Sequence, residues 1–169
     1  MRQCQPKALP RRLMRECIIA QPAAFVRSNA FRRIGMLDPE EKVAFDYDLW
    51  IRMAKSCHFE YVSEYWANSG MHRSAISFID RKRVLTANMR LLERHYAYIP
   101  LQWIYGYCCY LLDARDQFFE PLRHSILGYT MSLVYGLLRN YRHPGRFMRE
   151  WISAPLKWSV VRHYWRSSE

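Results

Sequence analysis

Asp46-Tyr47-Asp48-Leu49-Trp50-Ile51-Arg52-Met53-Ala54 is the stretch on which the fold of this chain turns. Leu49, Trp50, Met53 and Ala54 recur three and four apart, as one face of a helix requires. Asp46 and Asp48 then stand at or just before the first turn of that helix. A carboxylate there can cap free backbone N–H groups and is favoured by the positive end of the helix dipole. It is expected to stay ionised near neutral pH and to face outward, and both properties suit a general base. The same residues also have a plain structural use: Asp48 and Arg52 form an i,i+4 ion pair, worth a few tenths of a kcal/mol.

Upstream, Cys17 to Ala20 reads as a short strand that Pro22 interrupts, with Ala23 to Arg27 continuing extended. Ser28 is the expected N-cap of a helix from Asn29 to Ile34, and Gly35 closes that helix where a left-handed residue is needed. Leu37 to Glu41 is a turn around Pro39. Downstream, His58 to Val62 alternates in polarity like a half-buried strand, and Tyr65 to Ala67 extends it or pairs with it. Asn68 to Arg73 is a polar, glycine-containing loop.

Taken together, Gln21-Pro22-Ala23-Ala24-Phe25-Val26-Arg27, then Gly35-Met36-Leu37-Asp38, then the Asp46–Arg52 helix and His72 follow one another in an informative order. Residues 18–77 resemble the C-terminal, acceptor-side half of the catalytic domain of family 2 glycosyltransferases of the GT-A fold. That half runs from a Q-P-x-x-F-x-R strand through a G-G-L-D helix end and an E-D-Y-D-L-W-L-R helix to a strand and a histidine. The resemblance implies that Asp46 is the catalytic base of an inverting sugar transfer and that His72 is a ligand to a divalent Mg or Mn ion. It also implies that Gln21, Asp48 and Arg73 bind substrate, Gln21 on the acceptor side. Three positions depart from the family pattern. Phe45 replaces the acid before the base, Met36 replaces the second glycine, and Gly70 replaces an arginine, which leaves neighbouring Arg73 as the cation for the diphosphate.

The donor-binding half of the family, a nucleotide-binding βαβ unit with a D-x-D motif after an apolar strand, has no counterpart before Ile18. Asp46-Tyr47-Asp48 satisfies D-x-D as a string, but a helix follows it directly, so it is read as the base region. The resemblance therefore implies that this chain alone is inactive, either as one part of a split enzyme whose donor-binding half is a separate chain, or as a truncated product or remnant.

Composition bounds the remaining possibilities. Of 169 residues half are apolar and 15% are aromatic, which argues against disorder. Twenty-six Lys and Arg against fifteen Asp and Glu give a formal charge of +11, which points to anionic neighbours. Cys4, Cys17, Cys57, Cys108 and Cys109 are odd in number and show no C-x-x-C pair, so neither a disulfide framework nor a zinc site is indicated. Reduced thiols and a cytoplasmic location follow as the expectation. There is no G-x-S-x-G, no glycine-rich phosphate loop and no nucleic-acid-binding signature, so specific nucleic-acid recognition is not expected.

Residues 1–17 form a basic segment, with a short helix expected from Leu9 to Glu16. Residues 78–169 read as a helical extension. Leu85, Met89, Leu92 and Tyr96 make one stripe, Pro100 opens a run from Leu101 to Leu112, and an apolar stretch runs from Ile126 to Leu138. Pro144 and Pro155 mark two further short helices. Neither apolar run reaches the roughly twenty residues of a membrane span. From Arg139 to Glu169, seven Arg or Lys and two Glu are interleaved with Trp and Tyr, a pattern suited to peripheral contact with an anionic inner membrane face.

The expected fold is α+β or mostly α, a partial GT-A half with few short strands followed by helices. The expected function is transfer of a hexosyl-type unit from a nucleotide sugar to a glycan or lipid-linked acceptor, as in envelope polysaccharide or glycoprotein glycan synthesis. The alternative is a non-catalytic remnant or a basic interaction module at a membrane surface.

Overall fold

The computed structural model describes residues 9–68, 80–112 and 126–166, with side chains described as far as residue 155. The described residues are mainly helical and fall into two compact units, 1–96 and 97–169. The first unit holds α1 (Leu9–Arg15), α2 (Ser28–Ile34), α3 (Phe45–Ser56) and α4 (Arg81–Tyr96). The second holds α5 (Leu101–Leu112), α6 (Ile126–Arg139) and α7 (Pro144–Arg166).

In the first unit α3 is the hub, and α1, α2 and α4 pack around it. Tyr47, Leu49, Trp50, Ile51 and Met53 are all buried, so apolar residues occupy most of the helix circumference. Leu9 and Leu13 bury one face of α1 against it. The Tyr47 hydroxyl donates to the carbonyl of Leu13, and burial pushes that phenol upward in pKa. Tyr96 at the end of α4 donates to the carbonyl of Pro10 at 3.2 Å. The α4 stripe is as expected, with Leu85, Met89 and Leu92 buried.

The extended segments behave differently from the sequence expectation. No strand forms among the described residues: 17–20 is coil, a 3-10 turn occupies Gln21–Ala23, and 58–62 and 65–67 are coil. A strand exists through its ladder, and among the described residues these segments form none. Pro22 lies in the 3-10 turn, where its missing N–H costs nothing.

α2 starts one residue earlier than expected. Ser28 is its first residue and Arg27 holds the cap position, its carbonyl accepting from the Ala30 N–H at 2.9 Å; its guanidinium has no acceptor atom and so makes no side-chain cap. Gly35 ends it at φ +84°, a left-handed value that favours glycine. The following turn is held by Asp38, whose Oδ1 accepts from the Glu40 N–H at 3.0 Å. Glu41 beyond it is buried and accepts from Arg90 of α4 at 3.0 Å.

In the second unit α5, α6 and α7 pack on one another. Gly128, Ser132 and Gly136 form the buried line of α6. A Cβ at Gly136 would lie 1.9 Å from a ring carbon of Phe147, which is fully buried, so only glycine admits that ring. Asn140 at the end of α6 is 1% exposed. Its Oδ1 accepts from the Ile99 N–H at 2.8 Å, and its Nδ2 donates to the Ile99 and Gly136 carbonyls, both at 3.0 Å. One buried amide thus ties the approach to α5 to the end of α6.

Pro144 to Arg166 is one helix, not two, although Pro155 lies inside it. An internal proline leaves the carbonyl four residues earlier without its N–H partner. That carbonyl belongs to Trp151, and here it accepts from the Tyr129 hydroxyl. Tyr129 also stacks on Trp151, ring centroids 4.5 Å apart, and receives the indole N–H on its own carbonyl at 3.2 Å. The helix continues because α6 supplies the donor that proline lacks.

Candidate functional site

The N-terminal half of α3 brings two carboxylates onto the helix in very different surroundings. Asp46 is half-buried in the first turn, and its Oδ1 accepts from the Tyr47 N–H at 2.8 Å. Among the described residues no ion pair involves Asp46 and its second oxygen has no hydrogen-bond donor.

Asp48, two residues on, faces inward and is 2% exposed. Its Oδ2 accepts from Arg52 Nε at 2.7 Å, and its Oδ1 lies 2.7 Å from His95 Nε2 of α4. Burial opposes ionisation of this carboxyl. Hydrogen bonds from His95 and Arg52 and the Arg52 charge outweigh that penalty and hold it below the usual carboxylate range. The outward orientation expected for both aspartates therefore holds only for Asp46. A short side chain at position 48 turns toward α4, where a partner for each oxygen is in place.

Arg52 extends the network. Its Nη1 donates to the Ile34 carbonyl at the C-terminus of α2 at 2.8 Å, and its Nη2 to the Met36 carbonyl just beyond that helix at 2.9 Å. On the other side, Lys55 Nζ lies 3.3 Å from His95 Nδ1 and donates to the His95 carbonyl at 3.0 Å. An ammonium can only donate, so Nδ1 accepts and the ring proton sits on Nε2, directed at Asp48. Lys55 also lies over the Tyr96 ring, 5.1 Å from its centroid. Asp48, Arg52, His95 and Lys55 thus lock α2, α3 and α4 to one another.

Of the residues singled out from the sequence, Asp46 and Asp48 share α3, while Gln21 is exposed in the 3-10 turn and makes no hydrogen bond to either. His72 and Arg73 lie outside the described residues. Among the described residues no three His, Cys, Asp or Glu side chains converge on a point that could hold a metal ion. The Asp48–Arg52 pair was legible as an i,i+4 spacing. His95 and Lys55 carried no signal, since His95 meets Asp48 from 47 positions away.

A second feature of the first unit lies on its surface. Phe25 and Trp66 pack edge to face with centroids 5.1 Å apart, yet are 75% and 47% exposed, and Tyr65 beside them is fully exposed. No helix among the described residues is long and apolar enough to cross a membrane. Comparison with known proteins finds no matching family model, no similar curated protein and no similar solved structure.

Proposed function

We propose that residues 18–77 are the acceptor-side part of a GT-A-like inverting glycosyltransferase of family 2, with Asp46 as general base. The observation that carries this reading is the contrast within one helical turn. Asp48 has both oxygens committed inside the protein, while at a half-exposed helix N-terminus Asp46 has one oxygen with no donor among the described residues. In the reaction the acceptor hydroxyl gives its proton to that Asp46 oxygen as its own oxygen forms a bond to the anomeric carbon. The bond from that carbon to the nucleoside diphosphate breaks on the opposite face, and the diphosphate leaves with the bonding electron pair. A divalent Mg or Mn ion belongs to the reading as the counter-charge of the diphosphate.

In this reading Asp48 acts as a positioning residue, which its two internal partners, Arg52 and His95, support. By tying α3 to α2 and α4 it sets the angle at which Asp46 is presented. The exposed Phe25–Trp66 patch is where a donor-binding half would pack, since apolar surface of this kind is seldom left open.

The test is sugar transfer from a panel of nucleotide sugars with Mg or Mn, using this chain alone and joined to a donor-binding half. Transfer by the joined protein is expected to fall about a hundred- to ten-thousand-fold in Asp46→Asn, the range for loss of a general base. Parent-like transfer by Asp46→Asn would leave Asp46 as a helix cap and sink the mechanism. No transfer from any donor by the joined protein would sink the glycosyltransferase reading itself.

A further inference from the structure

We infer that the outward face of α6 is a membrane-interface surface, lying in the headgroup region of an anionic bilayer with its axis parallel to the membrane plane. The inference does not depend on the glycosyltransferase reading. It starts from an inverted distribution of side chains. In a water-soluble helix the large apolar residues turn inward and the small or polar ones outward. Here Gly128, Ser132 and Gly136 are buried, whereas Leu127, Val134 and Leu138 are 59%, 64% and 69% exposed. Small residues toward neighbouring helices and bulky aliphatics outward is the arrangement favoured where the outer medium is lipid.

The outward face from Leu127 through Thr130 and Val134 to Leu138 carries no charge. It ends at Tyr141 and Arg142, both exposed, with Arg142 Nε donating to the Tyr141 hydroxyl at 3.1 Å. Arg149 on α7 is exposed as well. The sequence of apolar stripe, aromatic ring and cation is the polarity order of a bilayer boundary. Between residues 126 and 155 the charged side chains are Arg139, Arg142, Arg146, Arg149 and Glu150, and the sole acid accepts from Tyr98 at 2.5 Å. The local surface is therefore cationic and complements anionic headgroups. A second copy of this chain fits less well, because an isologous contact would bring the same arginines together in a molecule of charge +11. At 14 residues α6 is about 21 Å long, too short to span, which selects lying on the membrane over crossing it.

Flotation of the full chain with vesicles tests this, comparing phosphatidylcholine alone with phosphatidylcholine containing phosphatidylglycerol. The chain is expected to float with the anionic vesicles and to be partly released by salt. Combining Leu127→Gln, Val134→Gln and Leu138→Gln should weaken partitioning by about tenfold or more, since the interface then loses its buried apolar area. Thr130→Leu, which widens the stripe, should strengthen it several-fold and does not depend on the triple variant folding. No flotation at low salt overturns the inference, and so does parent-like flotation of the triple variant. A dimer on gel filtration that the triple variant dissolves, without vesicle binding, overturns it in favour of self-association.

Discussion

Asp48→Asn removes the centre of the network that joins α2, α3 and α4, and its cost can be worked from the contacts. The carboxylate is buried and accepts from Arg52 Nε and His95 Nε2, each at 2.7 Å. An asparagine keeps one acceptor, but its amide then points a donor at a donor. One partner is left unsatisfied, at about 1–3 kcal/mol, and the charge assistance to the other is lost. Removing one member of a fully buried ion pair costs about 3–5 kcal/mol. Arg52 keeps its carbonyl partners Ile34 and Met36, and its side chain is 22% exposed, which lowers the figure. The sum is about 2–4 kcal/mol at neutral pH. Urea denaturation with amide exchange read on α3 peptides measures it without interference from the second unit. The pH dependence supplies an independent check. The folded-state pKa of Asp48 is depressed, so its contribution is present above the unfolded value and is lost as pH falls through the folded one. The gap between parent and variant should stay constant at neutral pH and narrow below about pH 4. A destabilisation under about 0.5 kcal/mol at neutral pH would refute the buried network, because surface pairs alone give values that small.

Two predictions concern the second unit. Gly136→Ala should destabilise it by about 3 kcal/mol, because the new methyl group meets the Phe147 ring at 1.9 Å, and adding Phe147→Leu should recover part of that loss. Thermal unfolding of the single and double variants measures both. Tyr129→Phe should cost about 1–3 kcal/mol by orphaning the Trp151 carbonyl, and clearly less in a Pro155→Ala background, where the alanine N–H can serve that carbonyl. Equal costs in the two backgrounds, in a double-mutant cycle by urea denaturation, would show that the hydroxyl does not stand in for the missing donor.

Local chemistry alone determined much of the helical framework. Pro100 followed by an apolar run marks Leu101–Leu112, the spacing of Leu85, Met89 and Leu92 marks α4, and Gly35 marks the end of α2, because proline, periodicity and glycine each act on neighbouring residues. The placement of two acids in the first turn of α3 was legible for the same reason. The direction each acid faces was not. Asp46 and Asp48 are the same residue type two positions apart, and what separates them is His95 arriving from α4. The strands expected at 17–20 and 58–62 failed because a strand is a relation between two backbones, which alternation within one segment cannot guarantee. Pro155 broke a helix on paper and not in space, since the donor that rescues the Trp151 carbonyl sits on another helix. The apolar run of α6 was plain in the sequence, but only packing decided that Gly128, Ser132 and Gly136 turn inward and Leu127, Val134 and Leu138 outward. The close fit of Phe147 over Gly136 leaves no room for a larger inward face.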